Sequence, residues 1–191
     1  MSRFSNTSGL SSVIYTEWLR LIIYYYSSIK KNEARFERGL PFLIAILCSI
    51  FYYHFGKVDS AMDALANLLP TAISVLIGFT VMLITLLLTG NGENIEKLKH
   101  MQTGVKNSGK EITAYQRLHI QFVHSLVLEI VLLLSIFFYL FLRGLHWLAG
   151  SYVFILGMDV YLTLTILLSI LRGVTNIYFS FFNPSDHVKS Q

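Results

Sequence analysis

Four long runs of apolar residues restrict what this chain can fold into. They cover residues 40–55, 65–89, 120–142 and 152–177, and polar or basic residues bound each of them. About 20 apolar residues cover the ~30 Å hydrocarbon core of a bilayer. Because lipid offers the backbone no hydrogen-bond partners, such runs must be helices. The sequence therefore predicts an all-α, polytopic membrane protein with four transmembrane helices, the first of them short.

The composition favours a membrane protein over a soluble protein with buried core helices. Hydrophobic residues make up 54% of the 191 residues and charged residues 14%, whereas soluble domains carry roughly 25% charged residues. The net charge is +4, but the basic residues flank the apolar runs, so we expect no direct nucleic-acid binding. Cys48 is the only cysteine, which excludes an intrachain disulfide and a cysteine-based metal cluster. The polar N-terminus leads into no short apolar core, so we expect no cleavable signal peptide.

The basic residues predict the orientation of the chain. Six Lys and Arg residues precede the first run, five lie between the second and third, and two lie at the far end of the fourth. Only Lys57 and Arg143 lie on the other side. Basic residues concentrate on the cytoplasmic side of membrane proteins. We therefore expect a multi-pass protein of the inner (plasma) membrane with a cytoplasmic segment 1–39, a bundle 40–182, a cytoplasmic loop 90–119 and a cytoplasmic tail 183–191.

The N-terminal segment has the pattern of an amphipathic helix followed by basic residues. Apolar residues recur at helical spacing between residues 10 and 29. A helix of this kind lies in the membrane interface, and its basic residues meet anionic headgroups. The alternatives are packing against other cytoplasmic helices and a fifth span, which Glu17 disfavours. The membrane-surface candidates are Trp18, Arg20, Lys30, Lys31, Arg35 and Arg38.

The connection between the second and third runs predicts a cytoplasmic helical hairpin. Residues 95–101 have the apolar spacing of a short amphipathic helix. Ser108 and Glu111 fit a capping box, which begins a helix. No breaker follows before Gly144, so the third span would be one long helix whose first turns stand in the cytoplasm. We expect this hairpin to bind a soluble protein, and the candidates for that contact are Lys97, Lys99, Lys106, Lys110 and Arg117.

Two acids inside the runs are the main functional candidates. At ~1.5 Å per residue, Glu129 would be about 15 Å from the inner edge and Asp159 about 12 Å from the outer edge, near a common depth. Ionisable residues at such depths usually face the bundle interior or water. The acids would line a cation path or share a proton, or they would serve packing, with Asp159 paired to Arg143 or His146. Hydroxyls available for packing bonds are those of Ser135, Thr163 and Thr165. We expect Arg172 to extend towards the cytoplasm.

Small residues in the second run predict close helix packing. Ser74 and Gly78 are four residues apart, a pattern that lets two helices approach closely. The pattern does not say whether the neighbour belongs to the same copy. We expect a homo-oligomer, since one four-helix bundle has little room for a central aqueous path.

No catalytic, cofactor-binding or metal-binding site is predicted. The sequence contains no serine or cysteine nucleophile motif and no glycine-rich dinucleotide fingerprint. His119, His124 and Glu129 are spaced by five residues, a step that turns about 140° around a helix and disfavours a metal site. The cytoplasmic pieces are too short and divided for an enzymatic domain. We therefore expect a protein that is not an enzyme and has no cofactor.

Three functions fit these observations. The first is a sensor or scaffold that oligomerises and presents cytoplasmic helices to a soluble partner. The second is an oligomeric pore or membrane-perturbing effector with the acids facing water. The third is an immunity or exclusion protein that blocks another membrane protein.

The plan of the whole chain resembles the membrane subunit of the Kiwa anti-phage defence system. The resemblance rests on a 191-residue chain with four spans, a basic N-terminal segment and a helical cytoplasmic loop. It implies a bacterial inner-membrane oligomer that senses phage attack. It also implies a soluble, DNA-binding partner docked on the cytoplasmic face. Small membrane effectors of other bacterial defence systems share the same general plan.

Overall fold

The computed structural model describes residues 22–23, 25–27, 31–107, 110–144 and 152–182. Residues 22–23 and 25–27 are helical. The elements that follow are α1 (Lys31–His54), α2 (Val58–Thr89), α3 (Glu93–His100), β1 (Gln102–Asn107), β2 (Lys110–Thr113), α4 (Ala114–Gly144) and α5 (Tyr152–Phe182). Most of the predicted amphipathic helix, residues 10–29, and the predicted tail 183–191 lie outside the described residues.

Four of these helices are long and apolar enough to cross a membrane, which confirms the predicted all-α, polytopic class. The spanning stretches are Arg35–His54, Val58–Thr89, Ala114–Gly144 and Tyr152–Phe179. The first three begin several residues before the predicted apolar runs. Polar residues in the first turns of each helix explain the difference, because an apolar run locates only the lipid-buried part of a helix.

The central helix of the bundle is α5. It packs against α1 on one side and α4 on the other, while α2 packs mainly against α4 and only slightly against α1. Two glycines allow the close approach of its neighbours. A Cβ at Gly157 would lie 2.7 Å from the Ser49 hydroxyl oxygen of α1, and a Cβ at Gly173 would lie 2.6 Å from Phe122 of α4. Although α1 and α2 are consecutive in sequence, α1 therefore packs mainly against α5, and α2 packs mainly against α4.

The connection between α2 and α4 differs from the predicted helical hairpin. The short helix α3 is present, but an antiparallel β-hairpin, β1–β2, takes the place of the second helix. Residues with branched β-carbons, such as Val105 and Ile112, favour strands. Gly104 has a φ of 68°, a value that glycine adopts without strain, and it lies where the register of the two strands is irregular.

The capping box of α4 also lies later than predicted. Glu111 is part of β2, and Ser108 lies outside the described residues. Instead, the Gln116 amide donates a hydrogen bond to the Thr113 hydroxyl at 3.3 Å, and the Thr113 amide donates to the Gln116 side chain at 3.2 Å. This reciprocal pair is a capping box. It begins the helix at Ala114, so less of α4 precedes the apolar run than predicted.

We call residues 93–113, which comprise α3 and the β-hairpin, the platform. Its apolar side chains are continuous with the bundle. Ile95 and Leu98 of α3 form one buried cluster with Leu87 of α2 and with Leu118 and Phe122 of α4. The platform is therefore fixed to the adjacent ends of α2 and α4.

Candidate functional site

The interior of the bundle holds a line of buried polar side chains on α4 and α5. On α4 they recur at helical spacing, which places them on one face of the helix. Near the platform, Gln121 donates a hydrogen bond to the Ser169 carbonyl at 2.6 Å, and the Ser125 hydroxyl donates to the Ser169 hydroxyl at 2.9 Å. The buried polar residues of this line are Gln121, Ser125, Glu129, Ser135, Asp159, Thr165 and Ser169.

Glu129 lies at the middle of α4 and is completely buried. Its Oε1 atom accepts a hydrogen bond from the Thr80 hydroxyl of α2 at 2.8 Å. Its Oε2 atom has no hydrogen-bond partner among the described residues. A buried acceptor without a donor costs about 1–3 kcal/mol, and ionisable residues inside spans are usually tied to function. Glu129 is therefore the strongest candidate for a functional group inside the membrane.

Asp159 of α5 has a similar arrangement with another helix. Its Oδ1 atom accepts a hydrogen bond from the Ser135 hydroxyl of α4 at 2.6 Å, and Oδ2 has no partner among the described residues. The packing bond to Ser135 is thus confirmed. The alternative pairing with Arg143 is wrong, because Arg143 forms an ion pair with Asp63 of α2. His146 lies outside the described residues.

The two acids do not share a site. Asp159 is level with Ser135, which follows Glu129 by six residues on α4. That separation corresponds to about 9 Å along the helix axis. The predicted common depth is therefore not observed. Counting residues from the ends of apolar runs ignores how far two antiparallel helices are shifted along each other, and this shift sets the relative depth.

A cluster of aromatic and charged side chains joins the residues before α1 to the bundle. The Tyr25 ring stacks on His124 of α4, with 3.8 Å between ring centroids and 10° between ring planes. The Tyr25 hydroxyl donates to Glu37 at 3.0 Å, and Arg172 of α5 donates to Glu37 at 2.5 Å. Burial and the Glu37 carboxylate raise the pKa of the Tyr25 phenol above its ordinary value, which keeps it a hydrogen-bond donor.

This cluster corrects the prediction for Arg172. We expected its side chain to extend towards the cytoplasm. It is only 18% exposed and is paired with Glu37 near the start of α1, so it ends at a carboxylate inside the protein. The carboxylate comes from the helix that packs against α5, and the sequence does not reveal which helices are packed together.

Two lysines of α3 take part in ion pairs. Lys97 pairs with Glu93 at 2.9 Å, and Lys99 pairs with Glu96 at 2.7 Å, with all four side chains exposed. Hydrogen bonds from these lysines lower the pKa of Glu93 and of Glu96. The outer face of α3 thus carries acidic and basic side chains side by side, so the candidate contact residues Lys97 and Lys99 stand beside carboxylates.

Three other basic residues that we expected to contact the membrane surface or a partner have side chains within the described part of the chain. Arg35 and Arg38 are exposed near the start of α1, and Arg38 lies over the Tyr26 ring at 3.5 Å from its centroid. Arg117 is half-buried near the start of α4. The side chains that lie outside the described part of the chain are those of Trp18, Arg20, Lys30, Lys31, Lys106 and Lys110.

Ser74 and Gly78 do not pack against another helix of the described chain. Both are exposed on α2. The Ser74 hydroxyl donates to the Pro70 carbonyl of its own helix at 2.7 Å. A Cβ at Gly78 would meet nothing within 4 Å.

The sequence reasoning missed an ion pair at the end of the bundle opposite the platform. Asp63 of α2 accepts a hydrogen bond from the Tyr139 hydroxyl at 2.9 Å and pairs with Arg143 of α4. A signal was present, because Asp63 and Arg143 lie near the ends of apolar runs that meet on the same side of the membrane. Opposite charges at matching ends of spans favour such a pair.

Comparison with protein-family models, with curated proteins and with solved structures finds no match to this chain. Within the described ranges, no group of three or more His, Cys, Asp or Glu side chains is placed to hold a metal ion.

Proposed function

We propose that this multi-pass membrane protein is a non-enzymatic sensor and scaffold. It oligomerises in a bacterial inner membrane, with both termini in the cytoplasm, and presents the platform to a soluble protein. The observation that carries the proposal is the shared core of platform and bundle, in which Ile95 and Leu98 pack with Leu87 of α2 and Phe122 of α4. A surface element whose core is continuous with two membrane helices moves with those helices.

The hydrogen bond between Thr80 and Glu129 links the same two helices, α2 and α4, half-way through the bundle. Coupling between two sites requires an element whose equilibrium both sites bias. In this proposal the element is the α2–α4 pair. A perturbation of the membrane region changes the contact at Glu129, and the mixed-charge face of α3 changes position with the helix ends.

The proposed biological setting is anti-phage defence. Its support is the resemblance to the Kiwa membrane subunit in the four spans and the basic N-terminal segment, since the β-hairpin replaces part of the helical loop on which the resemblance also rested. The Kiwa membrane subunit works with a soluble DNA-binding partner. In that setting the partner contacts DNA and this chain does not. Phage plating on cells that carry this gene together with its neighbouring gene is expected to fall relative to cells with neither. Equal plating across a broad panel of phages contradicts this setting.

Co-purification tests the scaffold itself. Full-length protein extracted from membranes is expected to retain the soluble product of the neighbouring gene. Reversal of the α3 charges in the variant Lys97→Glu with Lys99→Glu is expected to abolish this retention, because the pattern of charges on α3 is lost. Lys57 is exposed at the opposite end of the bundle, so Lys57→Glu is the control. This variant is expected to retain the soluble protein.

A second variant separates recognition from helix stability. Exchange of Glu93 and Lys97 keeps an ion pair one helical turn apart but inverts its direction on the surface. We expect this variant to lose the soluble protein as well. Retention that is equal in the Lys97→Glu with Lys99→Glu variant and in the Lys57→Glu control contradicts the scaffold proposal.

An oligomeric ion-conducting pore is the second candidate function. The observation that favours it is the pair of buried oxygens, Oε2 of Glu129 and Oδ2 of Asp159, that have no hydrogen-bond partner among the described residues. Water in an opened bundle would supply donors to both. Liposome flux of protons and alkali cations is expected to fall in Glu129→Gln or Asp159→Asn. Native protein that carries none of these ions contradicts the pore.

A further inference from the structure

One tyrosine from the residues before α1 is buried among three helices of the bundle. Tyr25 is only 4% exposed. Its ring stacks on His124 of α4, and its hydroxyl donates a hydrogen bond to Glu37 of α1 at 3.0 Å. Ser169 of α5 is a second hydrogen-bond partner of that hydroxyl. Because α1 and α4 pack on different sides of α5, Tyr25 links two helices that α5 keeps apart.

The pocket that receives the Tyr25 side chain is lined by polar and charged groups. Arg172 of α5 pairs with the Glu37 carboxylate that accepts the hydrogen bond from Tyr25. The Ser169 hydroxyl in turn accepts a hydrogen bond from Ser125 of α4 at 2.9 Å. The line of polar side chains inside the bundle therefore continues through the Tyr25 hydroxyl to the Glu37–Arg172 pair. Withdrawal of Tyr25 would uncover these groups at the end of the bundle near the platform.

His124 is an unusual partner for the Tyr25 ring. It is 1% exposed, and neither of its ring nitrogens has a hydrogen-bond partner among the described residues. The two ring centroids are 3.8 Å apart with 10° between the planes, whereas aromatic pairs prefer offset or edge-to-face arrangements. Tyr26 meets the His124 ring edge-to-face, with 5.7 Å between centroids. A phenylalanine at this position would keep the ring contacts without burying two polar nitrogens.

The unpaired nitrogens of His124 oppose the docked position of Tyr25. A buried polar group without a partner loses its hydration and gains no hydrogen bond in return. When Tyr25 is withdrawn, water reaches the imidazole, which can both donate and accept hydrogen bonds. The hydrogen bonds of the Tyr25 hydroxyl and the buried area of its ring favour the docked position instead. A contact with such opposing contributions is suited to exchange between two states.

We propose that Tyr25 is a releasable latch. In the docked state it holds α1, α4 and α5 together at the end of the bundle near the platform. In the released state the residues before α1 leave the bundle, and water enters a pocket formed by His124, Glu37 and Arg172. The latch needs neither a soluble partner nor a second copy of the chain, so it goes beyond the proposed scaffold and is tested without it.

The latch pocket lies next to the core of the platform. His124 follows Phe122 by two residues on α4, and Phe122 belongs to the cluster that joins the platform to the bundle. On α5, Arg172 is followed by Gly173, where a Cβ would lie 2.6 Å from the Phe122 ring. Release of Tyr25 therefore loosens the α4–α5 contact at the level on which the platform rests. The position of the residues before α1 is transmitted to the platform in this way.

Hydrogen exchange of the full-length protein in liposomes tests the two states. Tyr25→Ala is expected to accelerate exchange at the amides of residues 22–27 at least about tenfold, while exchange within α2 stays the same. His124→Phe and His124→Leu are expected to slow it about tenfold, because the docked state no longer buries unpaired nitrogens. Ile23→Ala is the matched control, since this side chain of the same segment is 67% exposed, and it is expected to leave the exchange unchanged. Native exchange rates in both His124 variants overturn the proposal.

Thiol labelling tests whether release opens the pocket to water. Ser169 lies beside Tyr25 and Ser135 lies deeper in the bundle, and both are buried. In a Cys48→Ala background, addition of Tyr25→Ala is expected to accelerate the reaction of Ser169→Cys with a water-soluble maleimide at least about tenfold. The reaction of Ser135→Cys is expected to stay the same. Equal labelling of Ser169→Cys with and without Tyr25→Ala overturns the proposal. Acceleration at both cysteines also overturns it, because Tyr25 would then support the whole bundle.

Discussion

The hydrogen bond between Thr80 and Glu129 is expected to make a measurable contribution to the stability of the bundle. Thr80→Val replaces the donor with a methyl group of similar volume and leaves Oε1 of Glu129 without its donor. A buried acceptor left unsatisfied costs about 1–3 kcal/mol. Interhelical hydrogen bonds in membrane proteins contribute about 0.6 kcal/mol on average and about 1.7 at most, so we expect the free energy of unfolding to fall by about 1–2 kcal/mol.

A double-mutant cycle isolates the bond. In a Glu129→Leu background no acceptor remains, so addition of Thr80→Val is expected to cost less than it does alone, with a coupling energy of about 1 kcal/mol. The assay is reversible unfolding of the full-length protein in mixed micelles, followed by circular dichroism.

The matched control for this cycle is Thr85→Val. Its hydroxyl is exposed and donates to the Val81 carbonyl of the same helix at 2.9 Å, so the expected change is within about 0.5 kcal/mol. If Thr80→Val destabilises the protein no more than Thr85→Val, the hydrogen bond does not link α2 to α4. The coupling role proposed for Glu129 then fails with it.

Three further substitutions are expected to have distinct effects. Gly173→Ala introduces a Cβ 2.6 Å from the buried Phe122 ring, and such overpacking should lower the free energy of unfolding by about 1–3 kcal/mol; an unchanged value contradicts the close approach of α4 and α5. Glu37→Gln weakens the ion pair with the largely buried Arg172 and should cost up to about 3 kcal/mol, most of it recovered when Arg172→Leu is added. Gly104→Val places a branched residue at a φ of 68°, so hydrogen exchange in the β-hairpin should accelerate while exchange in the spans stays the same.

Apolar runs and basic flanks were enough to predict the number of spanning helices and the fold class. The physical reason is that the backbone in lipid has no alternative to the helix. The same reasoning did not predict the β-hairpin, because outside lipid a short segment with Val105 and Ile112 among polar residues fits a strand as well as a helix. The sequence also contains two possible capping boxes, Ser108 with Glu111 and Thr113 with Gln116. The second one forms, and the strand that precedes it is incompatible with a helix that begins at Ser108.

The two acids of the candidate site could be predicted from the sequence, but their hydrogen-bond partners on other helices could not. The sequence indicates that Glu129 and Asp159 face the bundle interior, since a lipid-facing carboxylate is costly. Their partners depend on which helices touch and on how far these are shifted along each other. Thr80, which donates a hydrogen bond to Glu129, belongs to another helix, α2. The hydrogen bond from Ser135 of α4 places Asp159 of α5 at the depth of Ser135. No single-helix pattern contains that information.

The packing of α1 against α5 has a consequence for biosynthesis. The ribosome synthesises α1 first, and roughly 100 residues separate it from the start of α5. At ~5–20 residues per second, α5 is therefore made about 5–20 s after the helix against which it packs. Glu37 lacks the guanidinium of Arg172 throughout that interval. Lipid or the insertion machinery must hold the first helix until then, and a nascent chain that stalls before α5 leaves the polar face of α4 uncovered and open to membrane proteases.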